Sequence, residues 1–298
     1  MKKVLVTGAN GQLGQCFKKA SVNFKQFEYH FATSLELNIT NKEEISNLFQ
    51  KEKFEICINC AAYTKVDAAE ENRDVAYNIN AEAVKHLAEI CRNEDAILVH
   101  FSTDYVFDGT GKEPYTELDP VNPINVYGAS KLDGEQQIAE VFDNYYIFRT
   151  SWLYSEFGTN FFSMILQKAK EKQDLKMITS QRGTPTNAND LANFVLQILT
   201  SEVQHFGLYH FSNEGEATWY DFAAAILEFT GNTKSIQLEK SDSYKTPAKR
   251  PHYSVLSKEK LFSNFKYKAI NWKESLKDLV IELQKSEHKD FSKHNRHK

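Results

Sequence analysis

Apolar residues in the first half of the chain fall into short unbroken runs separated by amphipathic stretches. Lys3–Thr7, Tyr29–Thr33, Ile56–Ala61, Ala96–Ser102 and Tyr145–Thr150 read as strands. Runs that stay apolar at successive positions fit strands buried on both faces of a sheet. Between them, apolar positions recur at helical spacing over 12–20, 41–52, 73–93 and 129–142. Thr40 or Asn41 is placed to cap the second of these helices. Strand and helix alternate, which predicts βαβ units and an α/β fold with a doubly wound parallel sheet. Past Ser151 the alternation loosens. Helices are predicted at 160–172, 189–201, 218–229 and 273–285, with short strands near 175–178 and 207–212. Ser241–Pro251 is polar and reads as loop. Residues 286–298 are rich in His and Lys, lack apolar periodicity and read as a disordered tail.

The 298 residues are 41% hydrophobic, enough to bury a sizeable core. Lys and Arg number 36 against 40 Asp and Glu, a net charge of −4. That balance argues against a broad basic surface for nucleic acid or membrane, and leaves room for a local anion pocket. No apolar run approaches the roughly 18 residues of a membrane span. The opening Met-Lys-Lys-Val-Leu-Val-Thr-Gly enters a strand at once and shows no signal-peptide pattern, so a cytoplasmic protein is expected. Four cysteines are too few for a disulfide scaffold. Cys57 and Cys60 share one predicted strand, and their odd spacing sends them to opposite faces. They read as buried filler, not as a zinc or redox pair.

Chemistry first shows in the loop Thr7-Gly8-Ala-Asn-Gly11-Gln-Leu-Gly14, which ends the first strand and opens the first helix. Glycines allow a tight turn and close approach to a pyrophosphate, and a helix N-terminus offers it free N–H groups. This strand–turn–helix context predicts a dinucleotide-binding (Rossmann) domain over 1–150, with some of 180–212 returning to it. A smaller α/β substrate domain is expected mainly over 151–285. The second strand ends in Ala32-Thr33-Ser34-Leu35-Glu36. No acid stands at the strand end to take a ribose 2′-hydroxyl, and Thr33 and Ser34 tolerate a 2′-phosphate. NADPH is therefore expected, with NADH as the alternative.

The chain holds one Tyr-x-x-x-Lys, Tyr127 to Lys131, at the start of a helix. That spacing puts both side chains on one helical face. It follows Ser102-Thr103-Asp104-Tyr105, at the strand end where ligands sit in doubly wound sheets. Reducing a ketone needs hydride on carbon and a proton on oxygen. An unperturbed phenol, with a pKa near 10, needs help to act at neutral pH. A nearby ammonium is expected to lower the Tyr127 pKa, and Thr103 can polarise the carbonyl.

These residues resemble the extended short-chain dehydrogenase/reductases, over roughly residues 2–285. The resemblance rests also on Asn59-Cys-Ala-Ala-Tyr-Thr64, Ser102-Thr-Asp-Tyr-Val-Phe-Asp-Gly109, Arg149-Thr-Ser-Trp152 and Arg250-Pro-His-Tyr-Ser254. It implies NAD(P)H-dependent reduction of the C4 ketone of dTDP-4-dehydro-6-deoxy-L-mannose to dTDP-L-rhamnose, by a monomer or homodimer. It implies that Gly8, Gly11, Gln12, Leu13 and Gly14 wrap the pyrophosphate, and that Thr33, Asn38 and Ile39 lie along the adenosine. Ala62, Tyr63 and Thr64 would line the path to the nicotinamide. Tyr127 would donate the proton, Lys131 hold the ribose and tune Tyr127, and Thr103 assist at the carbonyl. Val66, Asp104, Tyr105 and Trp152 would contact the sugar nucleotide, and Arg250 its diphosphate. Asp67 and Glu70 read as helix-start or surface charges, and His210 as a core residue. Some relatives bind magnesium between subunits through glutamates. Here Cys16 and the region near Asn189 lack those acids, so a metal site is not expected, though magnesium could accompany the diphosphate.

Other readings make different demands. Another nucleotide-sugar 4-ketoreductase would differ in base or product stereochemistry, which these motifs do not encode. A non-catalytic NADP-binding regulatory subunit would tend to lose Tyr127 or Lys131. A dehydratase would carry Asp-Glu after Thr103, where this chain has Asp104-Tyr105.

Overall fold

A computed structural model describes residues 1–294, and side-chain surroundings through Ser286. Strands β1 (Lys2–Thr7), β2 (Phe27–Ala32), β3 (Ile56–Asn59), β4 (Ile97–Thr103) and β5 (Tyr145–Thr150) form one sheet. The strand Gly207–His210 completes it. The order runs Gly207–His210, β5, β4, β3, β1, β2, and every pairing is parallel. The direction of the order reverses beside β1, which places a binding crevice at the carboxyl ends of the strands.

Helices cover both faces of the sheet and build a further core beside it. They are α1 (Gln12–Ala20), α2 (Lys42–Glu52), α3 (Val66–Ala69), α4 (Arg73–Tyr77), α5 (Ala83–Asn93), α6 (Val126–Val141), α7 (Phe161–Lys170), α8 (Ala188–Leu199), α9 (Trp219–Phe229), α10 (Glu259–Phe265) and α11 (Trp272–His294). Alternation along β1 shows how the layers form. Val4 and Val6 enter a core with Phe17 of α1 and Leu191 and Val195 of α8, while Leu5 enters another with Phe49 of α2 and Leu87 of α5. Burial of each such side chain contributes about 1.5–3 kcal/mol. Cys57 and Cys60 go to opposite faces, as their spacing requires. A third core joins Tyr154, Phe162 of α7, Phe222 of α9 and Leu276 of α11.

Three expected helices differ from what is observed. The helix expected over 73–93 is interrupted by a π turn at Asn78–Glu82. The turn seats the fully buried Asn80, which accepts from Tyr63 N–H at 2.9 Å and donates to Ser130 Oγ at 3.0 Å. The helix expected from 129 starts at Val126, because Asn125 caps it by accepting from Gly128 N–H at 2.7 Å. The last helix runs to His294, past the expected end at 285. Residues 295–298 of the expected tail lie outside the described residues.

Candidate active site

The glycine loop has the shape an anion needs. Gly8 is left-handed (φ +61°), and a Cβ there would come within 2.7 Å of Ala61 N. Gly11 begins α1 without a side-chain cap, so the first N–H groups of the helix stay open to a ligand. The Gln12 Nε2 amide is buried with no partner. Beside the loop lies a cavity of about 280 Å³, lined by the expected Gly8, Gly11, Asn38, Ile39 and Ala62. Asn10, Ser34, Leu37 and Cys60 also line it. The loop backbone together with the apolar Leu37 and Ile39 in this lining suits a nucleotide. Leu13 packs its side chain into the core, leaving only its backbone for the pyrophosphate. Gly14 is buried and Thr64 exposed. Thr33 N–H donates to Glu36 Oε2 at 2.9 Å, which folds this carboxylate back onto the end of β2.

Thr103 ends β4, and its hydroxyl accepts from Tyr105 N–H at 3.1 Å and donates to Asp104 Oδ1 at 3.1 Å. Asn125 starts α6 so that Tyr127 falls in its first turn and Lys131 one turn later. A Cβ on Gly128 would lie 2.2 Å from Tyr105 O, so glycine lets α6 press against the end of β4. The rings of Tyr105 and Tyr127 meet edge to face at 5.9 Å. Burial pushes the Tyr127 phenol up to about 12, the adjacent Thr103 hydroxyl pulls it down, and Asp104 raises it. Burial sets the direction, and the lowering expected from Lys131 does not appear. Lys131 is itself buried, and burial brings its amine down to about 8 while Glu135 raises it. Asp104 has one oxygen buried without a partner, and burial lifts its carboxyl to about 7.

Trp152 lies just past Thr150, the register neighbour of Thr103. Its backbone is left-handed (φ 46°), a strained state for a bulky residue. Its indole stacks on Trp219 at 3.7 Å, and it packs so closely on Gly183 that a Cβ there would have no space. Arg250 Nη2 donates to Asp67 Oδ2 at 2.9 Å, while its Nη1 is buried without a partner. Asp67 is thus an ion-pair residue beside the half-buried Val66, and Glu70 accepts from Val126 N–H at the start of α6. His210 is fully buried with Nδ1 3.0 Å from Tyr115 O, a structural setting. Sequence reasoning passed over Asn59, Asn80 and His100. The available signal was a polar residue within an otherwise apolar stretch. Among the described residues no cluster of His, Cys, Asp or Glu is arranged to hold a metal.

The sequence matches the family described as "RmlD substrate binding domain" over residues 1–285. It is 36% identical over 289 residues to the dTDP-4-dehydrorhamnose reductase of Aggregatibacter actinomycetemcomitans, covering 94% of this chain and 98% of that protein. The crystal structure of a dTDP-4-dehydrorhamnose reductase from Clostridium acetobutylicum superposes with a TM-score of 0.90 at 41% identity, covering 95% of this chain and 99% of that one. The Bacillus anthracis dTDP-4-dehydrorhamnose reductase, crystallised with NADP, gives a TM-score of 0.90 at 36% identity, covering 95% of this chain and 100% of that one. The match spans both the glycine loop and the Tyr127 helix, so the chain belongs to the RmlD substrate-binding-domain family.

Proposed function

We propose that the chain reduces the C4 ketone of dTDP-4-dehydro-L-rhamnose (dTDP-4-dehydro-6-deoxy-L-mannose) to dTDP-L-rhamnose, using NADPH, with NADH as the alternative. One observation carries this reading. Tyr127 lies beside the Thr103 hydroxyl, with Lys131 one turn further along α6, at the carboxyl edge of a parallel sheet whose glycine loop borders a cavity. The similarity to dTDP-4-dehydrorhamnose reductases supports the substrate.

Bound NADPH supplies the hydride. Gly8, Gly11 and the backbone of Gln12 and Leu13 hold the pyrophosphate, with Gly14 keeping the loop tight. Asn38, Ile39 and Thr33 follow the adenosine, and Ala62, Tyr63 and Thr64 the nicotinamide half. The phenol, held near 12, stays protonated at neutral pH, as a proton donor for reduction must. Tyr127 gives that proton to the C4 oxygen while the Thr103 hydroxyl steadies it, and solvent then restores the phenol. Lys131 bonds the ribose hydroxyls and stabilises the transient phenolate. Trp152, Val66, Asp104 and Tyr105 orient the sugar nucleotide, and Arg250 turns its unpartnered nitrogen to the diphosphate. The division into a dinucleotide domain over 1–150 and a substrate domain mainly over 151–285 belongs to the same proposal.

Purified protein is mixed with dTDP-4-dehydro-L-rhamnose and NADPH or NADH, absorbance is followed, and the product is identified by NMR. The expected result is dTDP-L-rhamnose, with Tyr127→Phe slowing kcat by about 10²–10⁴-fold at unchanged NADPH affinity. Folded protein that binds NADPH and leaves the sugar unreduced would sink the substrate assignment.

A further inference from the structure

Among the described residues, the non-glycine residues with a left-handed backbone are Lys53, Asp95, Trp152, Lys172 and Lys266. All but Trp152 stand within two residues of a helix C-terminus, where chains commonly turn that way. Trp152 ends no helix. It lies between β5 and the short strand Leu153–Tyr154, and its bulk makes a φ of 46° costly. Such a conformation persists only where the surroundings hold it.

Backbone contacts fix the flanks of this kink. Ser151 Oγ donates to Thr184 O at 2.8 Å, and Thr186 N–H donates to Trp152 O at 3.2 Å. Distant segments hold the ring. The indoles of Trp152 and Trp219 lie 3.7 Å apart and 7° from parallel. Gly183 makes the space, since a Cβ there would fall 2.6 Å from Trp152 Cε2. Trp219 is itself fixed twice. It opens α9, whose capping box joins Thr218 to Asp221, and its Nε1–H donates to Gln181 Oε1 at 2.9 Å. Arg182–Gly183 pairs antiparallel with Ala217–Thr218, which leads into Trp219. One stretch of backbone, 181–183, thus carries both the acceptor for Trp219 and the gap for Trp152.

We propose that Trp219, with its ring plane fixed by Gln181, is a positioning residue that holds Trp152 as a wall of the sugar subsite. The place of Trp152 in that subsite rests on the proposed function; the dependence of its ring on Trp219 and Gln181 does not. Both indoles are half-buried, so the pair keeps an open side. Trp152 stands two residues past Thr150, the register neighbour of Thr103, so a shift of its ring is felt beside the reacting carbonyl. The glycine loop lies on β1 and α1, away from this stack. Loosening the stack therefore weakens the hold on the sugar nucleotide and spares the cofactor.

Three tryptophans make the test readable. ¹H–¹⁵N NMR of the free protein gives one indole N–H signal for each. Trp272, whose Nε1–H donates to Glu216 O at 3.2 Å, serves as the reference. Gln181→Leu removes the acceptor at a half-buried position and leaves the core intact. It should move the Trp219 signal and with it that of Trp152, while Trp272 stays. A Trp152 signal that stays in place as Trp219 moves would overturn the proposal. In the reductase assay KM for the sugar nucleotide should rise about threefold in Gln181→Leu and about tenfold in Trp219→Leu, with KM for NADPH within about twofold of wild type. Trp219→Phe keeps a ring to stack and should recover most of the loss. A lower folded fraction alone would reduce kcat and spare both KM values; that pattern in both leucine variants would overturn the assignment. If wild-type protein leaves the sugar unreduced while the indole signals move as stated, the substrate reading fails and the hold of Trp219 on Trp152 stands.

Discussion

Asp104 shows how one residue can join stability to chemistry. Its carboxyl is held near 7, far above the ordinary carboxylate value, because burial disfavours the charge. The folded state therefore binds a proton that the unfolded state releases at lower pH. Stability from this group is fully present below the unfolded pKa of 3.8 and declines as pH rises from there to about 7. Asp104→Asn should remove that slope, with a gain of at most about 4 kcal/mol at pH 8 relative to pH 4. Urea midpoints across that range measure it, and parallel pH slopes in the two proteins would refute the burial argument. The sequence placed Asp104 beside Thr103, but its charge state follows from packing that no local motif records.

Caps decide the elements that carry the site. Asn125 accepts from Gly128 N–H and donates to Lys249 O at 2.8 Å, so it both starts α6 and ties it to the loop before Arg250. Asn125→Ala should cost about 1–2 kcal/mol and lower kcat, because Tyr127 and Lys131 ride on that first turn. Asn160→Ala removes the capping box of α7 at a comparable cost in stability. It should leave kcat unchanged, since α7 packs in the third core. Denaturation paired with kinetics separates the two; equal kinetic effects would mean that cap loss acts through stability alone. Asn41 as cap of α2 was readable in the sequence, since a polar residue before an apolar period is a local signal. The π turn at Asn78–Glu82 was not, because it depends on Asn80 finding Tyr63 and Ser130, which are distant in sequence.

At the scale of the molecule, Arg250 bridges two parts of the chain. It comes from a loop 183 residues beyond Asp67 and pairs with it on α3 while keeping one nitrogen free. Arg250→Ala should raise KM for the nucleotide sugar by about tenfold or more, with a smaller effect on kcat. Asp67→Asn should leave KM unchanged or lower it, as the guanidinium is released to the diphosphate. Steady-state kinetics with varied sugar nucleotide checks both, and an unchanged KM in Arg250→Ala would remove Arg250 from the site. Among the described residues no helix is long and apolar enough to cross a membrane.

The sequence by itself determined the parallel sheet, the glycine loop and the Tyr127–Lys131 spacing. Each is set by contacts within a few residues or by a period that repeats along the strand. Only the tertiary structure decided the rest. It laid Thr7, Asn59 and His100 in one row across three strands, because register is fixed by which faces are buried. It also turned Leu13 into the core, stacked Trp152 on Trp219 and raised the Tyr127 phenol where a lysine nearby had suggested the opposite. Side-chain charge answers to the dielectric around it, and that environment exists only once distant segments have closed over the group.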